Sequence, residues 1–204
     1  MKFSKILGLT AVLFLCSWSQ AHALSVSALG GLGWTNPSIS TPGVTNVSSK
    51  LGAGYGGAIE IGLVPFFSLE ADVLDMKRKF QFDTAAVAGI GESANYLQIP
   101  VMLRFSPLSL VSVGGGFYYA NGLGNVSTSV GGVAGADQTF AQAGLKNSDF
   151  GMVLSGRLRL PIMPLVGIIV DARYLLGLTN VATDPTATIK YRDIQTLFGI
   201  NFML

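Results

Sequence analysis

The chain has 204 residues, a length suited to one domain; 50% are apolar and only 12% charged. That balance leans toward a membrane protein. Beyond the N-terminus, however, no run reaches the ~18 consecutive apolar residues a spanning helix needs, so strands must carry any membrane crossing.

At the N-terminus, Lys2 and Lys5 precede the apolar run Ile6 to Cys16, and Ala21-His22-Ala23 places small residues around a cleavage site before Leu24. The pattern predicts a secretory signal over 1–23 and a mature domain over 24–204. Cys16 raises a lipoprotein alternative, but Leu15 occupies the position where lipidation needs a small residue. Setting aside the leader removes the only Cys and the only His, together with Lys2 and Lys5, which evens 13 basic against 11 acidic residues. The mature chain then has no basic patch for nucleic acid and no disulfide to form in an oxidising compartment. It also lacks a Ser-His-Asp triad, a Cys nucleophile and a His-ligated metal.

Strand-like stretches follow near 24–35, 51–63, 67–79, 94–105, 108–119, 148–160, 165–176 and 193–204. Short connections are expected at Val64-Pro65-Phe66, at Ser106-Pro107 and from Pro161 to Pro164, with long ones near 36–50, 80–93, 120–147 and 177–192. An even strand number with short turns alternating with long outer loops predicts an all-β fold: an eight-stranded antiparallel up-and-down transmembrane β-barrel with both termini in the periplasm. Proline supports the turn positions because it cannot donate to a ladder; Pro100, inside a strand, requires a bulge or a local break in pairing. The long segments are rich in Ser, Thr, Asn, Gly and Ala, as solvated loops are. Asn46-Val47-Ser48 and Asn125-Val126-Ser127 match the glycosylation triplet, a weak signal that would be idle in a bacterial context.

Which register carries the charges decides between a membrane barrel and a soluble one. Ile168, Val170, Ala172, Tyr174 and Leu176 share one face while Asp171 and Arg173 share the other. Phe150, Met152, Leu154, Leu158 and Leu160 stand against Ser155, Arg157 and Arg159 in the same way, and Tyr55, Ile59, Ile61 and Leu63 against Glu60. Lipid outside and a polar lumen follow. Projecting the alternation inward gives Glu60, Glu70, Asp72 and Asp171 facing Arg104, Arg157, Arg159 and Arg173. A salt-bridged plug is the expected arrangement, because an eight-stranded interior is filled by side chains and a bare buried charge costs several kcal/mol. An acid/base site at Glu70, Asp72 and Asp171 is the sharper alternative. Gly52-Ala53-Gly54-Tyr55-Gly56-Gly57 has the glycine density of a phosphate-cradling loop, but it lies within a strand with no helix after it, so the glycines are expected to ease curvature and close packing.

Lys77-Arg78-Lys79 is expected at the outer rim, as a solvated strand end or as a contact for lipopolysaccharide phosphates. Trp34, Tyr96, Phe117, Tyr119 and Tyr174 would suit aromatic girdles.

The last stretch, Asp193 to Leu204, alternates Ile194, Thr196, Phe198, Ile200, Phe202 and Leu204 against Gln195, Gly199 and Asn201. It resembles the terminal strand of bacterial outer-membrane β-barrels, whose glycine, apolar residue three positions on and apolar terminus are read by the assembly machinery; Gly199, Phe202 and Leu204 match, with Leu in place of the usual terminal Phe. Tyr96-Leu97-Gln98-Ile99-Pro100-Val101-Met102-Leu103-Arg104-Phe105 resembles the Y-L-x-I-P-x-x-x-[KR]-[YF] strand of the PorT-like small outer-membrane barrels, a family of the same eight-stranded form as the OmpX- and OmpA-type barrels. The resemblance implies residence in the outer membrane, among lipid and lipopolysaccharide, after assembly by that machinery. Outer-membrane lipases, deacylases and palmitoyl transferases of this shape depend on a His that the mature chain lacks. The expected role is therefore a non-enzymatic monomer without cofactor, structural in the envelope or presenting its loops to a surface partner; a narrow passive channel is the alternative, and a lipid-modifying enzyme a distant third.

Overall fold

The computed structural model describes residues 24–40 and 43–204; the expected leader over 1–23, its cleavage site and Cys16 lie outside the described residues. Among the described residues eleven strands run in chain order: β1 (Leu24–Thr35), β2 (Ser38–Ser40), β3 (Val44–Val64), β4 (Phe67–Thr84), β5 (Ile90–Leu108), β6 (Val111–Val130), β7 (Val133–Ala134), β8 (Ser148–Met163), β9 (Val166–Gly177), β10 (Thr188–Lys190) and β11 (Arg192–Met203). Eight of them close a ring in the order β5-β4-β3-β1-β11-β9-β8-β6, with β6 pairing back to β5. Every pairing is antiparallel. Closure removes the exposed edges an open sheet would present to lipid. The seam joins the first and last strands from Ser25↔Met203 to Thr35↔Asp193.

Strict alternation builds both faces. On β4 the outward residues Phe67, Leu69, Ala71 and Val73 interleave with the buried Ser68, Glu70, Asp72 and Leu74. The same pattern on β9 exposes Ile168 and Tyr174 and buries Ile169, Asp171, Arg173 and Leu175. The exposed belt is therefore dominated by Leu, Ile, Val and Phe, the composition of a lipid-facing surface. No described helix is long and apolar enough to cross a membrane.

Three two-residue turns, Pro65-Phe66, Ser109-Leu110 and Pro164-Leu165, share one end with the start of β1 and the C-terminal residue, where the Leu204 amide donates to the Leu24 carbonyl at 2.8 Å. The middle turn lies beyond the expected Ser106-Pro107, because β5 continues to Leu108 through a register shift after Phe105. Likewise β8 carries Pro161 inside the strand and absorbs it with a shift between Pro161 and Met163. Pro100 needs no bulge: the β4–β5 register is the same on either side, and only the ladder between Ala71↔Val101 and Leu74↔Gln98 is interrupted.

At the opposite end the strands outrun the expected spans. β3 begins at Val44, β4 reaches Thr84, β5 begins at Ile90 and β6 reaches Val130, so much of the expected loop sequence is paired backbone standing above the belt. Pairs such as Val47↔Phe82 and Glu92↔Thr128 belong to these extensions. The remaining connections fold over the ring. β2 pairs with β10 through Ile39↔Ile189, and Leu145 bridges to Ala182. Asn180 ties this cap together, its side chain donating to the Ala187 carbonyl and accepting from the Ala182 and Ile189 amides.

Candidate functional site

The interior is layered. Toward the turn end, the eight charged residues projected inward from the alternation form one connected network. Glu70 and Arg104 make a two-point pair, Nε to Oε2 at 2.7 Å and Nη2 to Oε1 at 2.9 Å. Arg157 reaches the same carboxylate at 2.5 and 2.8 Å, and Arg173 at 3.2 Å. Asp171 Oδ2 accepts from Arg104 at 2.8 Å, Arg157 at 2.8 Å and Arg173 at 2.9 Å, while its Oδ1 accepts from the Ser155 hydroxyl at 2.6 Å. Asp72 pairs with Arg173. Glu60 accepts from Arg157 at 3.3 Å, Arg159 at 2.5 Å and the Ser68 hydroxyl at 2.7 Å. Four carboxylates thus meet four guanidinium groups, and Glu70, Arg104 and Asp171 are fully buried. Charges so far from water persist only because each is paired and hydrogen-bonded.

Above this network lies a mostly apolar layer with Leu29, Ala58, Leu74, Met76 and Leu197, crossed by a hydrogen bond from the Gln195 amide to the Gln98 carbonyl oxygen at 2.9 Å. The inward glycines of β3 let β4 approach here: a Cβ on Gly54 would strike the Asp75 carbonyl and Met76, and one on Gly56 the Val73 carbonyl and Leu74. Close packing in the lumen is what these glycines serve.

A second charged group closes the outer end, and sequence reasoning misplaced it. Arg78 is not on the rim beside Lys77 and Lys79; it points inward and is 2% exposed, so it cannot meet lipopolysaccharide. Its Nε donates to Asp193 Oδ2 at 2.8 Å and its Nη1 to Asp149 Oδ2 at 3.0 Å. The guanidinium carbon lies 4.7 Å from the Tyr96 ring centre, 4.5 Å from that of Tyr191 and 5.9 Å from that of Tyr118, a cage of cation–π contacts. Tyr118 donates to Asp149 at 2.8 Å, and the Tyr96 and Tyr191 hydroxyls lie 3.3 Å apart. Tyr96 therefore belongs to the lumen and not to a girdle; Trp34, Phe117, Tyr119 and Tyr174 are exposed on the outside, where Phe117 stacks on Phe150 at 5.8 Å. The signal that would have placed Arg78 is parity: it shares the even register of Glu70, Asp72, Leu74 and Met76 on one strand. Asp149 shares the odd register of Ser155 and Arg157, and Asp193 that of Gln195 and Asn201.

Over the cage, Phe80, Phe140, Leu145 and Val181 are buried beneath the cap, packed with Ile39 and Ile189. Glu92 and Asp184 lie outside the membrane belt. Burial within the β5 extension raises Glu92 to about 7, and hydrogen bonds from the Thr186 backbone and hydroxyl hold Asp184 below its ordinary value. Among the described residues no cluster of His, Cys, Asp or Glu is arranged to hold a metal. On the terminal strand, Gly199 faces a neighbour so closely that a Cβ would meet the Ala28 carbonyl, while Phe202 and Leu204 are exposed on the outside.

By sequence the chain matches no protein-family model and no curated protein. By fold it is similar to the outer membrane protein OprG from Pseudomonas aeruginosa, with 8% identity over 90% of this chain and 97% of that one at a TM-score of 0.58. It is also similar to Ail, the attachment invasion locus protein of Yersinia pestis, in its complex with the heparin analogue sucrose octasulfate, with 11% identity over 90% of this chain and 99% of that one at a TM-score of 0.50. The ring, its outward belt and these likenesses agree: the chain has the fold of the small eight-stranded outer-membrane β-barrels.

Proposed function

We propose that this outer-membrane-type barrel is a non-enzymatic envelope protein, with a lumen sealed by ion pairs and an outer end that presents a folded contact surface. The observation that carries the reading is the burial of Arg104, Arg157 and Arg173 on Glu70 and Asp171 across the lumen. An interior occupied in this way braces the wall and leaves no hydrated path for solutes. Carboxylates at 0% and 1% exposure, as Glu70 and Asp72 are, cannot reach a lipid substrate, which argues against the enzymatic alternative. The extended strands and the cap give the outer end a defined shape, the usual platform for recognition on a rigid scaffold.

Planar-bilayer recording tests this. Purified barrel is expected to give no stepwise conductance. Reproducible openings that change when Arg157 or Asp171 is substituted would overturn the sealed reading in favour of a narrow channel. A lipid-A mass shift that disappears on Glu70→Gln would overturn it in favour of an enzyme.

A further inference from the structure

On the outer wall, between the upper parts of β4, β5 and β6, lies a groove of about 330 Å³ that the sealed lumen does not explain. It exists because the ladder opens there: the β5–β6 register jumps between Ser93↔Ser127 and Asn95↔Leu123, and the looped-out residues include Gly124 in the left-handed region at φ 67°. Asp75, Lys77, Ser93, Asn95, Asn125 and Ser127 line it. Its height is set by the outward registers. Just below on β4 stands Val73 and on β5 Ile99, both exposed on the apolar outward face; just above stands Lys79, opposite Ser93 at the upper edge. The groove therefore sits where acyl chains give way to headgroups.

Two of its charged groups are unspent, although Ser127 donates to Asp137 at 2.8 Å. The Asp75 Oδ1 atom is shielded from solvent and accepts no hydrogen bond among the described residues. Lys77, two positions on and on the same face, makes none of the ion pairs found among the described residues. A cation and a carboxylate that do not satisfy each other in one small groove suit a ligand that carries both partners.

We infer that this groove seats the phosphate of a lipid headgroup at the membrane surface. The Lys77 ammonium meets the phosphate, Asp75 accepts from a hydroxyl, amide or ammonium donor of the same headgroup, and Asn95 and Asn125 complete the polar lining. Two outer-leaflet sources share that chemistry: a phosphorylated amino-sugar glycolipid and a phosphoethanolamine phospholipid. The inference uses only the orientation of the barrel, so it stands or falls separately from the sealed lumen.

Native mass spectrometry of the folded full barrel, released from detergent with defined lipids, is the test. The probes are diphosphoryl lipid A, its dephosphorylated form, phosphatidylethanolamine and inorganic phosphate. Wild type is expected to retain diphosphoryl lipid A at least ten-fold better than the dephosphorylated form. Lys77→Ala and the near-isosteric Asp75→Asn should each reduce that retention about ten-fold, with the heat-modifiable gel shift intact, and the distant surface change Lys190→Ala should leave it unaltered. Stronger retention of phosphatidylethanolamine with the same sensitivity to both substitutions upholds the site and assigns the phospholipid source. Equal retention of dephosphorylated lipid A, indifference to both substitutions, or displacement by inorganic phosphate alone would overturn the inference.

Discussion

Asp72 on β4 and Arg173 on β9 are joined by a salt bridge although three strands separate them in either direction round the ring. They lie diametrically opposite. Glu60 on β3 and Arg157 on β8 are opposed in the same way, as are Gln98 on β5 and Gln195 on β11. Three struts thus cross the lumen.

Asp171 accepts hydrogen bonds from three arginines and Ser155. Truncating it leaves an uncompensated buried positive charge, for which the expected loss is ~3–5 kcal/mol. Lys190 is exposed on the cap, so Lys190→Ala should fall within about 0.5 kcal/mol of wild type. Equilibrium urea unfolding in lipid vesicles compares the two; equal tolerance of both would mean a hydrated lumen.

Arg78 balances Asp149 and Asp193. With Arg78→Met those carboxylates lose their cation, and a loss of ~3 kcal/mol or more is expected. A double-mutant cycle with Asp193→Asn should show a coupling energy of about 0.5–3 kcal/mol. Retention of lipid A by Arg78→Met should match wild type, because the side chain lies inside the wall.

Glu92 provides a pH dependence at the outer end. Its folded pKa, raised by burial to about 7, exceeds its ordinary value, so the folded form binds the proton more tightly. The stabilisation is complete below about pH 4.5 and is lost as pH rises through about 7. Amide exchange in the β4–β5 connection should therefore be faster at pH 8 than at pH 5 after correction for intrinsic rates. Glu92→Gln should remove the difference; because the side chain is half-buried, the effect will be modest.

Gly56 and Gly156 make a matched pair. A Cβ on Gly56 would meet the Val73 carbonyl, whereas one on Gly156 meets nothing within 4 Å. Gly56→Ala should cost ~1–3 kcal/mol by overpacking, and Gly156→Ala close to nothing. Thermal unfolding followed by circular dichroism distinguishes them.

The belt and the lower network were legible because lipid on one side and a filled lumen on the other force a period of two on hydropathy. Ile168 and Asp171 cannot exchange faces without placing a charge in acyl chains. Above the belt that constraint vanishes. Val47, Ser48 and Ser49 pair with β4 as regularly as any membrane residue, but with no lipid against the outer face polar residues are permitted there, so the extensions resemble loops. Arg78 was missed differently. A run of three basic residues suggests a solvated patch, while strand parity sends its middle member inward. The β5–β6 opening that forms the lipid groove depends on a register jump, and no local sequence signal announces one.

The struts also dictate an order of assembly. Arg173 and Asp72 are 101 residues apart in sequence, and Arg157 and Glu60 are 97 apart. While only the first strands are laid down, Glu60, Glu70 and Asp72 on β3 and β4 have no route to the arginines of β8 and β9. A growing sheet would expose those carboxylates on its concave side, and such a sheet cannot rest in acyl chains. Glu70 gains Arg104 on the adjacent β5, but Glu60 and Asp72 are neutralised only with the last third of the chain, just before β11 meets β1. Late, non-local contacts of this kind make folding slow and cooperative. Substituting a single strut should therefore prolong the lifetime of unsealed intermediates, and an assembly factor that shelters the open sheet until the seam closes would be needed most by those variants.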